Sequence, residues 1–178
     1  GADYITFRNK TIESTGSGTA YGVLLTDAAN YNNIEDNIIT VPIVTSGGNI
    51  VGVLASASYT TSIGTATEGN NTNYTTIQNN EIIGGVTGVL LEGGVNNSEN
   101  DGRSIIGNDI HDQYNFGIFV DEQDTFMVSK NTITSLGAPG ADAMQLNDVQ
   151  NYSVMSNRIV SRDYGIAIFG GFGVGDHC

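Results

Sequence analysis

The sequence predicts an all-β solenoid of about six coils, and three observations carry that expectation. First, a unit of the form aliphatic-x-x-Asn-x-Ile recurs at Ile34 to Ile39, Ile77 to Ile82, Ile105 to Ile110, Val128 to Ile133 and Val154 to Ile159. A degenerate copy spans Phe7 to Ile12, with Lys10 at the Asn position. Second, a Gly followed by alternating apolar residues recurs at Gly22 to Leu25, Gly52 to Ala55, Gly88 to Leu91, Gly117 to Val120 and Gly165 to Ile168, with Ala143 to Leu146 as a variant. Third, the two series alternate strictly and successive Asn residues lie 43, 28, 23 and 26 positions apart. The period therefore lies in the low twenties and accepts insertions.

Every coil offers the same pieces in the same order. The aliphatic residue and the Ile that flank each Asn follow no helical pattern, and alternation over four to six positions suits a short half-buried strand. The Asn suits a corner, because it tolerates left-handed backbone and its amide can stack on those of the coils above and below. Asn37, Asn80, Asn108, Asn131 and Asn157 are thus structural residues. The Gly unit reads as a further strand that starts at a sharp bend, so that in the last copy Val154, Ile159, Ile166 and Ile168 are core. The two longest insertions, Ser56 to Thr76 and Gly93 to Ser104, both follow a Gly strand, and loops gathered on one edge of an array are where function concentrates. Coils stacked at about 4.8 Å make a rod of roughly 30 Å.

Composition narrows the function classes. The chain of 178 residues holds 24 Gly, 2 Pro and no Trp, yet 8 Tyr, 6 Phe and regularly spaced Ile and Val favour a turn-rich β fold over disorder. Nineteen acids against six Lys and Arg give a net charge of −13, which speaks against nucleic acid and anionic membranes as partners, since phosphates need cations. No apolar run reaches the roughly 20 residues of a membrane span, and one cysteine, Cys178, allows no internal disulfide. No zinc-ligand spacing and no Gly-x-Ser-x-Gly is present.

The alternation of N-x-I corners with G-I-x-L strands resembles the right-handed, single-stranded parallel β-helix repeat of pectate-lyase-like proteins. The opening GADYITFRNKTIESTGSGTAYGVLLTDAANYN is similar to β-helix regions of large surface proteins that Bacteroidetes export through a type IX system. The resemblance covers essentially the whole chain. It implies one β-helix domain over residues 1–178, a piece of a longer chain with open ends, in a secreted or cell-surface bacterial protein. It further implies that the Gly-strand sheet flanks any substrate and that the loops after it wall a cleft. The scaffold carries lyases, hydrolases, epimerases, adhesins and plain spacers, so it assigns no activity.

Candidate chemistry lies along the Gly strands. The residues after them read Thr26, Ser56, Glu92, Asp121, Asn147 and Phe169. In register, Glu92 and Asp121 sit one rung apart, and two carboxylates at about 5 Å suit a retaining glycosidase, with Asp148 nearby. Asp121 and Asp124 are candidates for calcium. A solvated acidic stripe is the plainer reading on so acidic a chain. The outward positions Leu24, Leu54, Leu90, Phe119, Gln145 and Ala167, with Tyr21, Phe116 and Tyr164 just before a Gly, make an apolar and aromatic stripe. Leu90, Phe116, Phe119 and Tyr164 are the candidates for stacking on a sugar or partner, unless loops bury them. Among the cations only Arg103, at the end of an insertion, can swing into a cleft, and His111 reads as a solvated outward histidine. The expectation is a structural or adhesive module that contacts a glycan, a neighbouring domain or copies of itself in a filament, with no cofactor unless the acids take calcium. The alternative is a polysaccharide hydrolase or lyase that works through Glu92, Asp121 and Asp148.

Overall fold

A computed structural model describes residues 2–56, 72–93 and 102–170. Coil 1 consists of β1 (Thr6–Arg8), β2 (Thr11–Glu13) and β3 (Thr19–Leu25), and coil 2 of β4 (Asn33–Glu35), β5 (Ile38–Thr40) and β6 (Asn49–Ala55). Coil 3 holds β7 (Thr76–Gln78), β8 (Glu81–Ile83) and β9 (Thr87–Glu92), and coil 4 holds β10 (Arg103–Ile106), β11 (Asp109–His111) and β12 (Phe116–Asp121). Coil 5 is β13 (Phe126–Ser129), β14 (Thr132–Ser135) and β15 (Asp142–Asn147), and coil 6 is β16 (Ser153–Met155), β17 (Arg158–Ser161) and β18 (Ile166–Phe169). Each strand pairs in parallel with its counterpart in the next coil, so the chain forms three six-stranded sheets. The solenoid expected from the repeat is the observed architecture.

The core is a set of columns, one side chain per strand per coil. Ile34, Ile77, Ile105 and Val128 descend the first sheet, Ile39, Ile82, Ile110 and Ile133 the second, and Val53, Val89, Ile118 and Met144 the third, each at most 1% exposed. Side chains alternate across a strand, so burial of every second residue follows once the register is set. Coil 6 departs from the expected core. Val154 and Ile159 pack only partly against it, and Ile166 and Ile168 stand 43% and 57% exposed, because no described rung lies beyond them.

The first corner, between the first and second sheets, is an asparagine ladder. Nδ2 of Asn37, Asn80, Asn108 and Asn131 donates to Oδ1 of the Asn in the next coil at 3.0 Å. The same Oδ1 accepts the backbone N–H of the Asn below at 2.8–3.0 Å. The second Nδ2 proton goes back one coil, as from Asn108 to Ile77 O at 2.9 Å. Each inner amide thus spends both protons and both lone pairs, a complete accounting for a buried Asn. Lys10 joins only through its backbone N–H, which donates to Asn37 Oδ1 at 3.0 Å.

Two expectations about special residues need correction. The ladder Asn residues do not take the left-handed backbone. The residue before each does: Asn9, Asp36, Asn79, Gly107, Lys130 and Ser156 all have φ between 53° and 66°. The reversal falls to an outward neighbour so that the amide can point along the stack. Nor do four of the five Gly residues mark sharp turns, since Gly22, Gly52, Gly88 and Gly117 lie within their strands, whereas Gly165 sits at a bend just before β18 as expected. A Cβ on those four would come within 2.3–2.5 Å of Cγ2 of Ile39, Ile82, Ile110 and Ile133 respectively. Glycine is required there by the close approach of the third sheet to the second.

Candidate functional site

The third corner, where each coil passes from the third sheet to the first sheet of the next, carries both long insertions: they lie between β6 and β7 and between β9 and β10. Two columns run along it. One or two residues ahead of each first-sheet strand is a left-handed position, occupied by Tyr4, Tyr31, Tyr74, Gly102, Thr125 and Asn151 at φ of 46° to 68°. The three Tyr rings stack, with centroids 4.8 Å and 5.0 Å apart and planes 1° and 11° from parallel. They form an exposed ridge, Tyr4 being 76% accessible. The stack stops at Gly102, where a Cβ would strike the Tyr74 ring at 2.3 Å.

The neighbouring column is buried and polar in its middle: Asn32, Thr75 and Arg103, each 2% exposed, followed by Phe126. Arg103 Nε donates to Thr72 O at 2.8 Å and Nη1 donates to Gln123 Oε1. Gln123 in turn donates to Asp121 O at 3.0 Å and to Glu122 O at 3.2 Å. Burial pushes the Arg103 pKa down and the Glu92 charge pulls it back up. The expectation that Arg103 swings into a cleft is therefore incorrect. A guanidinium offers five donors in a fixed fork, and here the fork closes the third corner.

The sequence-derived acids are partly brought together. Asp121 pairs in register with Glu92 on one side and Asn147 on the other, as the column after the Gly strands required. Glu92 is 6% exposed and Asp121 half-buried. Asp148 falls one column further on, at φ 46°, with its N–H on Phe169 O at 3.0 Å. Asp124 lies across the corner, where Oδ1 accepts from Asn151 Nδ2 at 2.7 Å and from Thr125 Oγ1 at 3.2 Å. Among the described residues no three His, Cys, Asp or Glu gather closely enough to hold a metal.

The outward stripe of the third sheet is graded. Val51, Leu54, Leu90 and Phe119 form a cluster at most 5% exposed, with Phe116 half-buried against Phe119 at 5.2 Å and a 56° tilt. Toward coil 6 the face opens, and Tyr164 is 59% exposed. Its N–H donates to Asp142 Oδ1 at 3.1 Å. Asp142 is 6% exposed, and burial raises its pKa, aided by the Asp163 charge and opposed by the Tyr164 N–H. Beside it Gln145 Nε2 donates to Asn147 Oδ1 at 3.0 Å. Asp142 was not among the sequence candidates because it precedes Ala143, the one break in the Gly series. The Tyr ridge was missed too, although Tyr4, Tyr31 and Tyr74 share one offset from Lys10, Asn37 and Asn80.

Charged residues elsewhere clasp neighbouring rungs. Glu35 accepts from Arg8 Nε and from Gln78 Nε2, both at 2.6 Å, which holds its carboxyl below the usual range. His111 lies 2.9 Å from Asp112 and 3.5 Å from Glu81. Partial burial lowers its pKa, but bonds to Asp112 and Glu81 and the charges of Asp112 and Asp109 outweigh that and leave it raised.

A family model described as the right-handed beta helix region matches residues 43–178. The chain belongs to that family. No curated protein and no solved structure matches it. The β-helix family name describes an architecture, so the chemistry of this β-helix has to be argued from its own residues.

Proposed function

We propose that this β-helix is a structural and adhesive module of a secreted or cell-surface bacterial protein, a rigid rod that presents its third-sheet face to a glycan. The observation that supports this most is where the polar side chains are spent. Glu92 lies buried near the Arg103 charge, Asp124 is held by Asn151 and Thr125, and Glu35 binds two neighbouring rungs. Groups engaged in holding coils together are poorly placed to shuttle protons. The open end of the face instead combines an exposed aromatic, Tyr164, a half-buried one, Phe116, and the amides of Gln145 and Asn147. That mixture suits sugar rings, which offer apolar C–H faces and hydroxyl edges.

The enzymatic alternative is a polysaccharide hydrolase or lyase. Its support is the register of Glu92 and Asp121, since strands about 4.8 Å apart can hold two carboxylates at the separation of a retaining pair. Asp142 does not substitute for either: five residues along the strand from Asp121, it lies roughly 16 Å away at about 3.3 Å per residue, beyond either glycosidase geometry. A glycan panel read for binding, for new reducing ends and for unsaturated products separates the readings. Binding without turnover, weakened by Tyr164→Ala, is the expected result. Turnover that disappears in Asp121→Asn but survives in Asp112→Asn would replace the scaffold with the enzyme. Calorimetry with calcium covers the Asp121 and Asp124 version, for which heat and a higher melting temperature are required.

A further inference from the structure

We infer that the stacked phenols of Tyr31 and Tyr74 are a site of oxidative coupling, where a peroxidase and hydrogen peroxide join the two rings as dityrosine and so tie coil 2 covalently to coil 3. This goes beyond the scaffold reading and does not depend on any glycan. The two ring centroids are 5.0 Å apart and the planes 11° from parallel. Both rings stand at the surface, 43% and 48% exposed, within reach of an oxidant in solution. Tyr4 extends the stack at 4.8 Å, but the pair in coils 2 and 3 is complete without it. Tyr31 and Tyr74 are 43 positions apart and precede β4 and β7, so the bond would link two rungs at the corner that lacks the asparagine ladder.

The backbone holds the rings in this relation. Tyr31 N–H donates to Asn73 O at 2.8 Å, and Asn30 Oδ1 accepts the Asn73 N–H at 2.7 Å, so the residues that carry the two rings are bonded from rung to rung. Tyr31 and Tyr74 share the left-handed backbone, at φ 56° and 51°, and their side chains leave the corner in the same direction. On its far side the Tyr74 ring lies against Gly102, where a Cβ would approach to 2.3 Å. The phenol that faces Tyr74 is therefore that of Tyr31.

The chemistry balances as follows. Each phenol gives up one electron and its hydroxyl proton, leaving a phenoxyl radical whose unpaired electron is shared with the ring carbons ortho to the oxygen. Two such radicals combine by forming one Cε–Cε bond. Each bonded Cε then sheds its hydrogen as a proton while each oxygen takes a proton back, which restores both phenols. The pair has lost two hydrogen atoms, and these reduce one hydrogen peroxide to two waters. Groups held together in one molecule reach effective concentrations of about 1 mM or more, so in a solution at about 1 µM coupling within the chain outruns coupling between chains about 1000-fold. Tyr152 is an internal control: it is 38% exposed, but its stacking partner is Phe126 at 5.6 Å, which has no phenol to oxidise.

The experiment treats the 178-residue chain, with Cys178 alkylated, with a peroxidase and hydrogen peroxide at about 1 µM chain and isolates the 18.7 kDa monomer by size exclusion. Fragments cut at acidic residues are then mapped by mass spectrometry, since Glu35 and Asp36 separate Tyr31 from Tyr74. Tyr4→Phe serves as the background, because it leaves Tyr31 and Tyr74 as the one stacked pair of phenols among the described residues. The expected product is a fluorescent monomer two hydrogens lighter, with the cross-link between the Tyr31 and Tyr74 fragments. Adding Tyr31→Phe keeps a ring in the stack but abolishes the dityrosine of the monomer. Unfolding the chain in urea before oxidation abolishes the preference for this pair. A monomer without dityrosine, a link through Tyr152 in its place, or undiminished monomer fluorescence with Tyr31→Phe overturns the inference. So does a Tyr31 to Tyr74 link that forms equally well in urea, because the fold would then contribute nothing.

Discussion

The first corner of the coil uses Asn at five successive rungs, whereas the third corner, at comparable depth, uses Asn32, Thr75, Arg103 and Phe126 in turn. Both must satisfy the backbone where the chain leaves one sheet for another, since an unpaired buried N–H or C=O costs as much as a lost hydrogen bond. The ladder does it between coils, each amide bonding the rung above and the rung below. The third corner does it case by case: Asn32 Nδ2 donates to Ala29 O within its own coil and to Ala2 O, and Arg103 reaches Thr72 and Gln123. A corner built from rung-to-rung identity cannot take an insertion without breaking the series. A corner solved separately at each rung can, and both long insertions are there.

The comparison is sharpest at its centre. Asn108→Leu removes the amide that serves Ile77 O, Asn131 Oδ1 and Asn80 together. It leaves a buried carbonyl and a buried N–H unpaired, and the expected loss is on the order of 3–5 kcal/mol in urea unfolding at about 1–3 kcal/mol per orphaned group. A loss below about 1 kcal/mol would mean that the ladder is ornament.

At the third corner the largest effect should come from Arg103→Met. The change keeps the apolar stem, removes the fork to Thr72 and Gln123, and takes a compensating charge from Glu92; breaking a buried charge pair costs about 3–5 kcal/mol. Adding Glu92→Gln should restore part of that loss, whereas a double variant as unstable as the sum of the singles would show that Glu92 and Arg103 are not coupled.

The Tyr ridge comes next. Tyr31→Ala removes two ring contacts worth about 0.5–1.5 kcal/mol each and collapses the near-ultraviolet circular dichroism of the stack. Tyr31→Gly should cost less than its missing ring suggests, because Tyr31 sits at φ 56°, where glycine is at ease. An Ala variant that matches wild type in both stability and spectrum contradicts the stack.

These differences explain what could be read beforehand. The ladder was legible because one residue type recurs at one offset, and so was the pairing of Glu92 with Asp121, which follows from counting along the Gly strands. The left-handed residue beside each Asn was not, because its identity varies from Asn9 to Lys130 to Ser156 and only its backbone is shared. The requirement for glycine was legible but its reason was not, since the close Ile39, Ile82, Ile110 and Ile133 methyls belong to another sheet. Arg103 was misplaced because a cation at the end of a loop reads as exposed, and nothing local reveals that Thr72 and Gln123 wait for it.

The smallest expected effect is at His111, on the second sheet. Its pKa is raised in the folded chain, so the clasp to Asp112 and Glu81 is fully present below the unfolded value of about 6.5 and is lost as pH rises through the folded value. The advantage of wild type over His111→Gln should be greatest between about pH 5 and 6.5 and vanish at higher pH, reaching about 0.5 kcal/mol or less because its partners Asp112 and Glu81 are solvent-exposed. An advantage that grows with pH would reverse the assignment.

The central claim is that a continuous asparagine ladder holds successive coils together, and hydrogen exchange of the Nδ2 protons of Asn80, Asn108 and Asn131 tests it most directly. Side-chain amides in free solution exchange quickly, whereas these protons, bonded both to the next Oδ1 and to a backbone carbonyl of the coil below, should exchange as slowly as the backbone amides of β8 and β11. Rapid exchange at Asn108 while the neighbouring strand amides remain protected would contradict it.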